Sequence, residues 1–115
     1  MNQIADTPAE TIRQQIGHRA FYMLGASNLM YSAADPNWLS FRIKGSRAIN
    51  YIKVTVDAMD TYTMEFGKIT NTTITIGSTK LKGAPAYKVV TTLEGVYFDQ
   101  LHELITENTG LYTSL

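Results

Sequence analysis

The stretch LSFRIKGSRAINYIKVTVDAMDTYTMEFG, residues 39–67, decides the fold of this chain. Apolar residues recur in it at every second position, which is the period of a strand that buries one face. The inward sets predicted for three successive strands are Leu39, Phe41 and Ile43, then Ile52, Val54 and Val56, then Tyr62, Met64 and Phe66. Strands patterned on one side predict an antiparallel meander with one face for the core and one face for a partner.

Weaker alternation on either side of this stretch extends the predicted sheet. Residues 72–76 are predicted to pair with residues 87–91 as a hairpin, with residues 77–85 as its loop. Residues 26–37 carry Ser, Asn, Asp and Pro and are predicted to form a loop that precedes the first strand. Asp35-Pro36 favours a turn there, and Met59-Asp60 is predicted to form a tight connection between the second and third strands.

A helix is predicted before the sheet. Thr7-Pro8-Ala9-Glu10 has the pattern of a helix start, with Thr7 as the N-cap and Glu10 placed to close a capping box. The apolar face of this helix consists of Ile12, Ile16, Ala20 and Met23. Gly17 weakens the middle of the helix, so we expect a bend or a close approach to the sheet there, and Gly25 can end it.

A second helix is predicted after the sheet. From Gly95 the apolar period changes from two to three and four, and Asn108-Thr109-Gly110 stops the helix. Its apolar stripe consists of Tyr97, Phe98, Leu101, Leu104 and Ile105, with Leu111 as a further candidate. The chain is therefore expected to be a single α+β domain over residues 1–115. An antiparallel sheet of about four to five strands, a meander plus a hairpin, carries the N-terminal and C-terminal helices on one face.

Composition narrows the class of protein. The chain has 115 residues, of which 44% are hydrophobic and 17% charged, and it contains no cysteine. These values are far from those of disordered chains, and the missing cysteines exclude disulfides, thiolate chemistry and cysteine-ligated zinc. The N-terminus MNQIADTPAE has no basic or apolar signal region, and no run approaches the roughly 20 apolar residues that span a bilayer. We expect a cytoplasmic protein that does not bind membranes.

Charge is balanced in number but unevenly distributed. Ten basic and ten acidic side chains cancel. Residues 36–56 and residues 66–93 contain no acidic side chain. Each segment has four basic ones: Arg42, Lys44, Arg47 and Lys53 in the first, and Lys68, Lys80, Lys82 and Lys88 in the second. From Glu94 onward the chain has acids and neither Lys nor Arg. The molecule should have a basic sheet region and an acidic C-terminal helix.

Catalytic motifs are missing from the sequence. His18 and His102 have no HExxH-type partner, and there is no GxSxG, GxGxxG or GxxxxGK[ST] pattern. Asp57, Asp60 and Glu65 could hold a hard cation, but acids that flank a hairpin turn more commonly cap backbone donors. We therefore expect a protein that is not an enzyme and that has no cofactor and no metal site.

The candidate binding residues are basic side chains that flank an aromatic ring. Arg42, Lys44, Tyr51 and Lys53 are predicted on the outward face of adjacent strands, with Arg47 on the loop that joins them. Sheet proteins that hold single-stranded nucleic acid use this combination, because cations track phosphates and rings stack on bases. The alternative is a solvated face whose Lys and Arg maintain solubility and whose Tyr51 makes a cross-strand pair.

Other aromatic residues suggest protein contacts. Tyr31, Trp38, Tyr97 and Tyr112 belong to residue types that are enriched at interfaces, although Trp38 and Tyr97 are better explained as seals at the ends of the core. An edge strand or the C-terminal helix is where a second copy of the chain would pair, so a homo-oligomer is one of the expected states.

Three segments carry a resemblance. QIGHRAFYMLGASNL, LSFRIKGSRAINYIKVTVDAMDTYTMEFGKI and EGVYFDQLHELITENTGLYTSL are similar to a group of small proteins without assigned activity that bacteriophages and mobile elements encode. The similarity covers most of the chain and fades between Thr70 and Pro85. It implies an accessory phage protein, in the host cytoplasm, that acts on phage DNA metabolism or on a host system.

Two functional hypotheses result. The first is a non-catalytic module whose basic sheet face binds single-stranded nucleic acid. The second is a protein-binding module that inhibits or modulates a host defence or DNA-metabolism enzyme, docking by its polarised charge. The sequence does not choose between them.

Overall fold

A computed structural model describes residues 7–31, 37–57, 61–71, 73–111 and 113. The helices are α1 Pro8–Ile16, α2 His18–Met23 and α3 Leu101–Thr109, the last preceded by a 3-10 turn, Phe98–Gln100. The strands are β1 Ser27–Met30, β2 Trp38–Arg42, β3 Tyr51–Val56, β4 Tyr62–Thr70, β5 Thr73–Ile76, β6 Thr79–Lys82 and β7 Ala86–Val96. The predicted α+β class, with an antiparallel sheet and a helix at each end of the chain, is confirmed.

The main sheet has five strands in the order β1-β2-β3-β4-β7, and each neighbouring pair is antiparallel. In its centre Phe41 lies opposite Ile52, which lies opposite Phe66, and all three side chains are fully buried. The predicted meander and its inward set are therefore confirmed for these strands. Ile12, Ile16 and Leu24 from the N-terminal region and Leu101 and Ile105 from α3 complete the core from the same side.

The N-terminal helix is divided into two. Thr7 is the N-cap as predicted, since its Oγ1 accepts a hydrogen bond from the Glu10 N–H at 3.2 Å. The Glu10 carboxylate forms an ion pair with Arg13. Gly17 has a φ of 90°, a left-handed conformation that ends α1 and directs the chain into α2, so the expected bend is a complete break.

The C-terminal helix is shorter than predicted at its start. Leu101 and Ile105 are buried, and Gly110 ends α3 in the left-handed conformation, as the Asn-Thr-Gly pattern indicates. Tyr97 and Phe98 do not belong to the buried stripe, because they precede α3 and are 61% and 64% exposed. The prediction that Tyr97 seals the core is therefore wrong. His102 joins the two terminal helices, since its Nε2 lies 2.6 Å from the Ile16 carbonyl oxygen.

The predicted hairpin between residues 72–76 and 87–91 is wrong. β5 pairs with β6 across a turn at Gly77-Ser78 and forms a separate two-stranded sheet. β7 instead pairs with β4, from Thr70 opposite Ala86 to Tyr62 opposite Val96. Residues 79–82, predicted as loop, are a strand because a two-residue turn brings them directly against β5.

Part of the predicted loop over residues 26–37 is also a strand. β1 pairs with β2 at the edge of the sheet, with Ser27 opposite Arg42, and all four of its residues are exposed. Burial gives such an edge strand no alternating pattern, so the sequence does not reveal it. The predicted turns at Asp35-Pro36 and Met59-Asp60 include residues 35, 36, 59 and 60, which lie outside the described residues.

Candidate nucleic-acid interface

The candidate interface is the outer face, by which we mean the side of the main sheet opposite the helices. Strand alternation and register assign to it Trp38, Ser40 and Arg42 of β2, Tyr51, Lys53 and Thr55 of β3, Thr63, Glu65 and Gly67 of β4, and Tyr87 and Thr92 of β7. Most of these residues are partly or fully exposed, but Ser40 is 3% exposed because it is a small residue between larger neighbours.

Three of the predicted site residues lie close together on the outer face. Arg42 is directly opposite Tyr51, and Lys53 lies two residues further along β3, opposite Ser40. Arg42 is exposed, whereas Tyr51 and Lys53 are half-buried. The antiparallel register of β2 and β3 therefore places a guanidinium, a phenol ring and an ammonium in one patch.

Lys44 continues this patch beyond the end of β2. Its N–H donates to the Leu24 carbonyl at 3.0 Å, so the pairing between β1 and β2 extends into the preceding connection. A Cβ on Gly25 would lie 3.3 Å from the Lys44 Cβ, which places the stem of the lysine against the glycine backbone. Lys44 is exposed and is thereby positioned at one corner of the sheet.

Arg47 lies apart from the other predicted site residues. Its carbonyl accepts a hydrogen bond from Lys68 Nζ at 2.8 Å, and Arg47 and Lys68 both line one surface concavity. Lys68 shares the β4 face of the buried Phe66, so this concavity opens on the helix side of the sheet. The structure therefore divides the predicted residues between two sides of the sheet.

Two further aromatic residues belong to the outer face. Lys53 Nζ lies 4.9 Å from the centroid of the Trp38 ring, and the Tyr51 and Tyr87 rings meet edge to face at 5.2 Å. Trp38 could have been found by counting back two residues from Ser40 along the alternation. Tyr87 could not, because its strand was predicted to pair with a different partner.

An acidic side chain lies within the candidate interface. Glu65 is opposite Lys53 on one side and opposite Thr92 on the other. Its carboxylate accepts a hydrogen bond from the Tyr87 hydroxyl. Burial and this hydrogen-bonded, negatively charged neighbour raise the pKa of Tyr87 well above its ordinary value. The outer face thus carries both signs of charge.

Asp57 caps the backbone of Thr61, which is the alternative that the sequence favours over a cation site. Asp57 accepts hydrogen bonds from the Thr61 N–H at 3.2 Å and from the Thr61 hydroxyl at 2.6 Å. Asp60 lies outside the described residues. In the described part of the chain no group of three or more His, Asp or Glu side chains is arranged to hold a metal ion.

No protein family, curated protein or solved structure matches the chain. The resemblance to phage-encoded proteins therefore stays a prediction. Among the described residues, no helix has the length and apolar character that crossing a bilayer requires.

Proposed function

We propose that the chain is a non-catalytic module that binds single-stranded nucleic acid on the outer face of its sheet. The observation that carries the proposal is the patch of Arg42, Tyr51 and Lys53, which adjacent strands hold in fixed register. Trp38 and Tyr87 enlarge the patch, so cationic groups alternate with rings across neighbouring strands. Such a surface suits a strand whose phosphates contact the cations while its bases stack on the rings.

The geometry also supports a preference for single strands. A sheet face with half-exposed rings offers stacking area to bases, and bases expose their ring faces only when they are unpaired. Arg42 and Lys44 lie on one side of Tyr51. Both are exposed, so they can contact the phosphate backbone of a bound nucleic acid. Glu65 repels phosphate near the centre of the outer face, so we expect the bound nucleic acid to follow β2 and β3 rather than β4.

Trp38 provides a direct test. It is the only tryptophan in the chain, so its fluorescence reports on the outer face alone. Titration with a short oligothymidylate at low salt should change this fluorescence, and anisotropy of a labelled oligonucleotide should give the same affinity. The double variant Arg42→Glu/Lys53→Glu should bind roughly a hundredfold more weakly, because two attractive charges become repulsive.

The matched control is Lys80→Glu/Lys82→Glu. It makes the same change in net charge on β6, whose residues are all exposed and which belongs to the separate two-stranded sheet. We expect it to retain most of the affinity. Absence of binding at low salt, or equal losses in both double variants, would contradict the proposal.

The second candidate function is a protein-binding module that inhibits or modulates a host defence or DNA-metabolism enzyme. Exposed aromatic side chains favour it, because Tyr22 is 81% exposed and Tyr97 and Phe98 are also largely exposed. For either function, the resemblance supports a phage or mobile-element accessory protein in the host cytoplasm. A pull-down from host lysate with and without nuclease separates the two, since a partner recovered only without nuclease is held by nucleic acid.

A further inference from the structure

A basic concavity lies on the helix side of the sheet, where Lys68 of β4 pairs with Lys88 of β7. Its volume is about 460 Å³, and it is lined by Arg47, Ala48, Lys68, Lys88, Val89 and Val90. Three of these six lining residues are basic and none is acidic. The concavity is separate from the patch on the outer face, since Lys68 shares the β4 face of Phe66.

The register of β4 and β7 forces two of these cations together. Lys68 and Lys88 are directly opposite each other across the strand pair. Like charges in this position repel, and they destabilise a sheet unless a group of opposite charge lies between them. The chain therefore has an unfavourable pair at a position where one acidic residue would form an ion pair.

Arg47, the third basic residue, is held beside Lys68 by a hydrogen bond to its backbone. Lys68 Nζ donates to the Arg47 carbonyl at 2.8 Å, which fixes the loop that carries Arg47 beside β4. Ala48, Val89 and Val90 are the apolar residues that line the concavity. Apolar walls reduce the screening by water, so the repulsion among the cations and their attraction for an anion are both strengthened.

We propose that this concavity binds a phosphate group, with Arg47, Lys68 and Lys88 as its ligands. A guanidinium can contact two phosphate oxygens at once, while the two ammonium groups act as point charges. The bound anion would relieve the repulsion between Lys68 and Lys88. This site does not depend on the proposed function of the outer face, and its phosphate can come from a nucleic-acid strand or from a free phosphate compound.

Thermal unfolding in phosphate and in chloride at equal ionic strength tests the site. The melting temperature of the wild-type protein should rise by several degrees in inorganic phosphate, and the rise should saturate. Lys88→Glu should melt above the wild type in chloride, because it forms a cross-strand pair with Lys68, and it should lose the phosphate response. Arg47→Gln should weaken the response without creating a new ion pair.

Lys80→Glu is the matched control, since Lys80 lies on β6 opposite Thr75 and does not line the concavity. It should keep the full phosphate response. The proposal is overturned if phosphate does not stabilise the wild-type protein, or if Lys88→Glu and Lys80→Glu respond as the wild type does. Neither result concerns Arg42 and Lys53, so this failure is distinguishable from failure of the outer-face proposal.

A second measurement identifies the source of the phosphate once the inorganic ion has been shown to bind. The oligothymidylate titration is repeated with Lys88→Glu. Weaker binding of the oligonucleotide supports a site that holds a phosphate of the strand, whereas unchanged binding supports a site for a free phosphate compound.

Discussion

Gly67 provides a site where one methyl group should have opposite effects in two backgrounds. A Cβ at this position would lie 2.6 Å from the Tyr87 hydroxyl oxygen and 2.7 Å from its Cζ. The backbone of Gly67 is not in the left-handed region, so alanine can adopt its conformation. Any cost of Gly67→Ala therefore comes from displacement of the Tyr87 ring.

The magnitude follows from the contacts that the displaced ring loses. The edge-to-face pair with Tyr51 contributes about 1 kcal/mol, and the hydrogen bond to Glu65 contributes about 1 kcal/mol after allowance for the 44% exposure of Tyr87. Replacing glycine by alanine in a strand returns about 0.5–1 kcal/mol. We expect Gly67→Ala to lower the free energy of unfolding by about 1–1.5 kcal/mol.

The effect should change sign once the ring is removed. In a Tyr87→Ala background the two contacts are already absent and the space above Gly67 is open, so Gly67→Ala should stabilise the protein by about 0.5–1 kcal/mol. The coupling energy of this double-mutant cycle is then about 2 kcal/mol. Urea unfolding followed by circular dichroism at neutral pH measures all four free energies.

A coupling energy near zero would refute this reasoning. Gly67→Ala would then cost the same with and without the ring, and the glycine would be required by the backbone alone. The variant Tyr87→Phe separates the two contacts, because it retains the ring pair and removes the hydrogen bond to Glu65.

Three further predictions concern stability. Because the pKa of Tyr87 is raised in the folded state, the stability that its neutral hydroxyl contributes is fully present below a pH of about 10 and is lost as the pH rises further. Alkaline pH should therefore lower the free energy of unfolding of the wild type more than that of Tyr87→Phe, as measured by urea unfolding. Since Thr70 lies opposite Ala86, replacing residues 71–85 with Asn-Gly should leave the cooperative thermal transition intact. Gly17→Ala should lower the free energy of unfolding by about 1–2 kcal/mol in urea, because alanine is strained at a φ of 90°.

The parts of the fold that the sequence predicts correctly are those where one face of a strand is buried. Phe41, Ile52 and Phe66 could be assigned to the core, because a one-residue error in any of these strands would expose its whole apolar set. The start of the N-terminal helix at Thr7 and the stop at Gly110 were predictable for a different reason, since capping residues act locally.

Prediction fails where burial provides no pattern. The four residues of β6 are exposed, and most of β7 is exposed as well, so neither strand has an apolar face that would fix its register. Alternation in residues 87–91 indicated a strand but not its partner, which is β4. The same reason explains β1, which lies at the edge of the sheet and is exposed along its whole length.

The candidate site shows the same division. Arg42, Tyr51 and Lys53 could be placed together because their strands alternate and are adjacent in sequence. Arg47 lies in a loop without a period, so only the contact with Lys68 places it. Glu65 lies between the inward residues Met64 and Phe66, so the alternation places it on the outer face, but its contact with Tyr87 depends on the pairing of β4 with β7 and was not predictable.

The division of charge between the two sides of the sheet determines what a salt titration can show. The chain has ten basic side chains, but a single strand on the outer face meets about three of them, Arg42, Lys44 and Lys53. Single-stranded binding then has a slope of about −2 in log affinity against log salt. A strand that also reached Arg47, Lys68 and Lys88 would have a slope of about −4. The slope therefore counts the cations that one strand contacts, and net charge, which is zero, predicts neither value.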